Sequence, residues 1–389
     1  GMPDSTKSEI ISLPITILLT EEGVEFFMKN NHRLSRFKTA DNIESFGFTL
    51  QKLKPQSLQR MILANYVSKL EVSGADLIGE RQKILDLSKL VSYSFLYEKF
   101  DSEIYRTLIN SPVILNWNRL NPGGVIDQNT RINEAFLREA VQKNRIQIAS
   151  LKEEIRFPVL LKVDENESLL EEEKDISRLM TSRFLDSIRP FVWFILLRFK
   201  GTEGYPLLIQ EFSRLLCGYL EKAKIPEYLS LMILELVSYQ EDGNLKRFVA
   251  KMYRNSVDPG TVLSNESIRA SVLERLAADE EKIFVDWRIR STGSTIGTQN
   301  KLQVTIYNRL GEYQSLRDNI NNKKSLDLRE KSLLEFYKET TAPAAGNELG
   351  LYYLSYLNEA CERVGIRFES SVNQLASREL TVVTLTFIF

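Results

Sequence analysis

The stretch Gly346-Asn347-Glu348-Leu349-Gly350-Leu351, leading into a helix and two strands that end at Phe389, decides how this chain is read. A helix is expected from about Asn347 to Val364, because Gly350, Leu354, Leu357, Cys361 and Val364 recur at alternating four- and three-residue spacing and form one apolar stripe. Two closing strands are expected over Ile366 to Val372 and Leu380 to Phe389. The last is apolar on both faces, with Val382 and Ile388 on one and Val383, Leu385 and Phe387 on the other, which predicts an interior place in its sheet.

Moving toward the N-terminus, Ile283, Val285, Trp287 and Ile289 alternate with Phe284, Asp286, Arg288 and Arg290. Leu302, Val304 and Ile306 alternate with Gln303, Thr305 and Tyr307. Both runs have the period of two that a half-buried strand requires, and Ser291 to Asn300 reads as the loop between them. Three helices precede them. The first covers Pro206 to Ala223, and the second is opened by Pro226 at a first-turn position and continues through Tyr239. The third covers Ser264 to Glu280, with Ser264 as its N-cap. A polar stretch from Arg309 to Ala345, helical around Leu326 to Thr340, separates the hairpin from the glycine-bearing segment.

The first half begins with a strand, Ile11 to Leu19, and a helix, Glu21 to Asn30. It then reads as mostly helical: Pro55 to about Leu70, Arg81 to Ile109 in two pieces, and Asn133 to about Glu154, stopped by Pro158. Val159 to Val163 is expected as a short strand. The acidic residues Asp164-Glu165-Asn166-Glu167 and Glu171-Glu172-Glu173 form a linker or the solvated face of a helix. The expected fold class is α+β, a mostly helical region over residues 1–200 followed over 201–389 by a two-layer α/β sandwich.

Composition restricts the function classes. With 43% hydrophobic and 26% charged residues, 389 residues suffice for two or three globular domains without staples. Lys+Arg 51 against Asp+Glu 52 leaves a formal net charge of −1, and the basic and aromatic residues are dispersed, so no nucleic-acid partner is expected. Cys217 and Cys361 fit no metal spacing and sit in apolar helical context, which suits small buried thiols in a reducing cytoplasm. Gly1-Met2 reads as a processing scar, and no secretory signal is expected after it. Phe191 to Leu197, the most apolar run, is far shorter than the roughly 20 residues of a membrane span. It reads as a buried helix or a partner-facing segment. The single histidine, His32, stands near a helix end among polar residues and reads as a surface side chain.

The order helix, helix, two hairpin strands, variable stretch, glycine loop, helix and two strands resembles the ATP-binding domain shared by histidine kinases, gyrase-type ATPases and anti-sigma kinases. The resemblance covers about Tyr205 to Phe389. It implies a mixed sheet covered on one face by helices, with nucleotide contacts at Glu235, Tyr239, Asn308, Gly346 and Gly350. Gly346 and Gly350 keep the family's glycines, but each of the four motifs departs from the family pattern at another residue. Glu235 matches the catalytic carboxylate of gyrase-like members, but Tyr239 occupies the site of a magnesium-binding asparagine, and a neutral phenol is a poor ligand for a hard cation. Asn308 stands for the aspartate that reads the adenine amine and keeps an acceptor through its carbonyl, while Leu310 and Glu312 replace glycines. Glu348 sets a carboxylate beside the phosphate site, or is an ordinary first-turn acid that complements the helix dipole. Ser377-Arg378-Glu379-Leu380 replaces the family's Gly-Thr.

These departures give the functional expectation: a cytoplasmic signalling or regulatory protein, non-catalytic, with no catalytic residue, no metal site and no cofactor. It acts through a protein partner, and a homodimer is compatible with the sequence. The alternative is a divergent ATP-binding kinase or ATPase with Mg-ATP as its cofactor. A third reading keeps the fold for its sheet surface alone.

Overall fold

The computed structural model describes residues 10–38, 44–279, 282–290, 300–309, 352–375 and 380–389. Among the described residues there are eight strands: β1 (Ile15–Leu19), β2 (Ser35–Lys38), β3 (Glu44–Leu50), β4 (Val67–Gly74), β5 (Ile283–Arg290), β6 (Lys301–Arg309), β7 (Arg367–Leu375) and β8 (Leu380–Ile388). The first helices are α1 (Glu21–Lys29), α2 (Pro55–Leu63), α3 (Arg81–Ile109), α4 (Pro112–Leu120), α5 (Glu134–Lys143) and α6 (Arg145–Glu165). They are followed by α7 (Glu171–Asp186), α8 (Pro190–Phe199), α9 (Tyr205–Lys222), α10 (Lys224–Met252), α11 (Pro259–Leu263), α12 (Glu266–Ala278) and α13 (Tyr352–Arg363).

The chain divides into two units, Gly1–Ser92 with Ile225–Phe389, and Tyr93–Lys224. The boundary expected at residue 200 falls inside the second of them. In the first unit all eight strands join one sheet in the order β2-β3-β1-β4-β5-β6-β8-β7, with every neighbouring pair antiparallel. The N-terminal region, expected to be mostly helical, carries the helices α1 to α8 and also four of the eight strands, all four within its first 74 residues. β8 lies between β6 and β7, the interior place its two apolar faces predict.

One sheet face is apolar. Ile283, Val285, Trp287 and Ile289 of β5 share it with Leu302, Val304 and Ile306 of β6 and Val383, Leu385 and Phe387 of β8, all buried. Helices cover this face: the Trp287 indole Nε1 donates to Ser88 Oγ of α3 at 3.4 Å, and α10 meets β6 through a polar pair described below. Each such aliphatic or aromatic side chain contributes about 1.5–3 kcal/mol on burial, so the face rather than local propensity holds the sheet. The other face is polar but not fully wet. It carries Lys69 of β4, whose Nζ lies 3.0 Å from Asp286 Oδ2 of β5, both side chains buried.

Two close approaches fix the β1–α1 corner. Thr20 caps α1 by accepting from the Gly23 N–H at 3.0 Å. A Cβ on Gly23 would lie 2.2 Å from the Tyr66 carbonyl oxygen, so only glycine fits beneath β4's approach.

The second unit is helical, and three sequence expectations are corrected here. α3 is one helix of 29 residues rather than two pieces. The helix expected from Asn133 breaks at Asn144, which ends α5 and starts α6. α6 then runs through Pro158, and Val159 to Val163 is helical, not a strand. A proline in a helix interior costs about 3 kcal/mol. Leu151, Ile155, Val159 and Val163 are all buried on one side of α6, and their combined burial exceeds that cost. Ser213 Oγ of α9 also donates to the Ile155 carbonyl at 2.8 Å.

α8 is apolar nearly all round and buries Phe191, Val192, Trp193, Ile195, Leu196 and Phe199, which makes it a core helix rather than a partner-facing segment. Its first turn is held by Asp101 of α3, which accepts from the Arg189 backbone N–H at 2.8 Å and from its guanidinium Nε at 2.9 Å. Glu171, Glu172 and Glu173 occupy the first turn of α7, where they complement the helix dipole.

Candidate functional site

The burial pattern of α10 determines which of the expected site residues meet. Ile233, Leu236, Val237, Gln240, Glu241 and Asn244 are buried, whereas Glu235 and Tyr239 are half-buried. Asn244 follows Glu235 by nine residues, about two and a half helical turns, so their side chains leave opposite sides of the helix.

The Asn244 side reaches the sheet. Asn244 Nδ2 donates to Asn308 Oδ1 at 3.0 Å, and Asn308 Nδ2 donates to Asn244 Oδ1 at 3.1 Å. The Arg247 guanidinium donates to the same Asn244 oxygen. Thr381 of β8, also buried, stands directly opposite Asn308 in register. The carboxamide that the sequence offers to an exocyclic amine is thus only 2% exposed, and one of its two acceptor lone pairs is engaged by Asn244.

On the opposite side of α10, Tyr228 stacks on Tyr356 of α13 with ring centroids 5.5 Å apart. Tyr228 precedes Glu235 by about two turns, so the side bearing Glu235 and Tyr239 is the one α13 approaches. Gly346 and Gly350 lie outside the described residues, as do Glu348 and the helix expected around Leu326 to Thr340. The structure brings Asn308 to Asn244 and keeps Glu235 with Tyr239, but the two sets sit on different sides of α10.

Two further buried groups escaped the sequence reading. Glu241 Oε2 accepts from the Leu77 N–H at 2.7 Å and from the Ile78 N–H at 3.3 Å, which ties α10 to the turn ahead of α3. Burial pushes its carboxyl up to about 8, against the two backbone donors, which pull it down; Asp76 raises it further and Arg269 lowers it. One residue earlier, Gln240 is 3% exposed, and among the described residues neither its Oε1 nor its Nε2 has a hydrogen-bond partner. Gln240 and Asn244 follow Leu236 at four-residue intervals along one face. That interruption of an apolar stripe by two amides was the available signal.

The remaining candidates behave as surface or core residues. His32 is exposed beyond the end of α1 and meets Phe27 edge-on, with ring centroids 5.2 Å apart. Both cysteines are free; burial raises both thiols, that of Cys361 to about 12. Among the described residues no group of three or more His, Cys, Asp or Glu is placed to hold a metal ion, and no helix is long and apolar enough to cross a membrane. Two grooves open on the second unit. One of about 300 Å³ lies between α6 and α7, and one of about 460 Å³ lies between α6 and α9.

Fold and site together define a mixed α/β protein with an eight-stranded antiparallel sheet and a buried amide pair at its helix–sheet junction. The chain belongs to the Family of unknown function (DUF8084), whose model matches residues 6–389. It is 34% identical over 389 residues to an "Uncharacterized protein" of Treponema pallidum (strain Nichols), and the match spans 100% of both chains. No solved structure matches it.

Proposed function

We propose that the chain is a signalling or regulatory protein whose part from α10 to β8 is a histidine-kinase-like ATPase fold withdrawn from catalysis, and that it works through contacts with other proteins. The observation that carries this reading is the reciprocal Asn244–Asn308 pair. An adenine amine would have to compete for the Asn308 carboxamide with a buried neighbour that already satisfies it in both directions. Tyr239, where the family places a carboxamide ligand, points the same way, because a neutral phenol holds magnesium poorly. The strand order β5-β6-β8-β7 with α10 over its apolar face is what supports the fold assignment. The free thiols suit a reducing compartment, here the cytoplasm.

One observation favours a second reading, a divergent ATP-dependent kinase or ATPase. Glu235 lies on the side of α10 that α13 approaches, where a carboxylate could orient water or metal near a phosphate.

Melting curves with and without Mg-ATP separate the two. A ligand at 100 times its dissociation constant stabilises a fold by about 2.7 kcal/mol. The proposed function expects no shift with Mg-ATP or Mg-ADP. An upward shift that Gly350→Trp or Glu235→Ala abolishes overturns it in favour of the kinase.

A further inference from the structure

The outward face of α7 carries a short stripe that is complementary to itself. Ile176 and Leu179 are 55% and 51% exposed, and Glu172 and Arg183, one turn beyond them at either end, are exposed too. The helix buries Met180, Thr181, Phe184 and Leu185 on its other side, so the stripe is surplus to the core of its own unit. Successive stripe residues are separated by four, three and four positions, the spacing at which one helix presents a continuous seam to another. The order along it is acid, apolar, apolar, base, and its midpoint falls between Ser177 and Arg178.

We propose that α7 is a homodimer surface, on which the α7 helices of two copies of this chain pair antiparallel about a two-fold axis at that midpoint. In this arrangement Glu172 of one copy meets Arg183 of the other at both ends, and Ile176 meets Leu179 in both central layers. Two-fold contacts require a patch that complements itself, and this order of residues does so only when the helices run in opposite directions. A parallel pairing would set Glu172 against Glu172 and Arg183 against Arg183.

The flanks do not oppose the contact. Asp186 is held by Lys152 of α6 at 3.0 Å, and Asp175 by Arg178 on α7 itself. Among the described residues Glu172 has no ion-pair partner, and Arg183 hydrogen-bonds the Tyr97 hydroxyl and has no carboxylate partner. The seam spans about 16 Å of helix and is small, so the association is a weak, concentration-dependent one. It stands independently of the ATPase-fold reading, since α7 lies in the other unit.

Sedimentation velocity on the full chain over a concentration series tests the surface. The wild type is expected to pass from monomer to dimer. Glu172→Arg reverses both end pairs and should raise the dissociation constant about tenfold, while Glu172→Arg with Arg183→Glu should return it to within about threefold of wild type. A chain that stays monomeric throughout overturns the proposal, as does a dimer that neither Glu172→Arg nor Ile176→Glu weakens. A charge swap that melts like wild type without recovering association also overturns it. If the swap fails to fold because Arg183 is lost from beside Tyr97, diamide oxidation of Ile176→Cys/Leu179→Cys decides. Cross-linked dimers in the double variant and in neither single one support the antiparallel register, and equal cross-linking in all three overturns it.

Discussion

Asn244 and Asn308, 64 residues apart in sequence, are each other's donor and acceptor, at 3.0 Å one way and 3.1 Å the other, where α10 meets β6. A buried amide is tolerated there only because its partner matches both of its groups. Asn244→Leu leaves both the donor and the acceptor of Asn308 without their partner, whereas Asn308→Leu leaves the Asn244 donor without one while Arg247 still donates to its oxygen; each single variant should lose about 1–3 kcal/mol in urea denaturation. The double variant should recover much of that loss, because both polar groups are then gone. Additive losses in a double-mutant cycle would falsify the pairing.

Glu241 predicts the sign of a pH dependence. Its carboxyl is raised from 4.5 to about 8 in the folded chain, so the native state holds the proton more tightly than the unfolded chain does. The stability from this group is present in full below about pH 4.5 and is lost as pH rises toward 8, with a slope of at most about 1.4 kcal/mol per pH unit. Glu98, which burial raises to about 7, acts with the same sign over a lower window. Between pH 7 and 8 the fall should therefore belong mainly to Glu241. Glu241→Gln should flatten it, because one carboxamide oxygen in the Oε2 position can still accept from Leu77 and Ile78. Melts of the two proteins at pH 6, 7 and 8 that stay parallel would refute this.

The sheet was legible where alternation was clean and hidden where it was not. β5 and β6 alternate and β8 is apolar on both faces, and the structure has all three where those patterns placed them. β4 was hidden because the register with β1 shifts between Leu18 and Leu19, so Val67 and Leu70 bury together at a three-residue interval that imitates a helix. β2 exposes three of its four residues, and β3 buries only Gly47, although Phe46, Phe48 and Leu50 alternate along it. Pro158 misled in the other direction, because local propensity forbids what four buried side chains on α6 enforce. In the candidate site, Glu235, Tyr239 and Asn308 could be named from residue type, but their phase around α10 could not. Which side of a helix meets a sheet depends on long-range packing, and it is this packing that joins Asn308 to Asn244 instead of to Tyr239.

Lys69 and Asp286 form a buried ion pair at 3.0 Å between β4 and β5, and these are the strands that join the N-terminal four to the C-terminal four. Removing one charge leaves the other desolvated without its counter-ion, so Asp286→Ala should lose about 3–5 kcal/mol in urea denaturation. Lys69→Met with Asp286→Leu removes both charges and should stay within about 1–2 kcal/mol of wild type or exceed it. If Asp286→Ala melts like wild type, the pair is not what holds this junction.

Gln240 offers the opposite experiment, a gain. Its amide is buried beneath α10 without a hydrogen-bond partner, one turn before an asparagine whose amide is fully matched. An unsatisfied buried amide costs about 1–3 kcal/mol relative to an apolar group of the same shape. Methionine has nearly the same length as glutamine, is unbranched, and fills irregular space without polar demands. Gln240→Met should therefore stabilise the chain by about 1–2 kcal/mol in urea denaturation, with an unchanged m-value showing that the folded and unfolded surfaces are as before. A loss of stability on this substitution would mean that the amide is satisfied in solution, and the site would then have to be redrawn with Gln240 as one of its polar contacts.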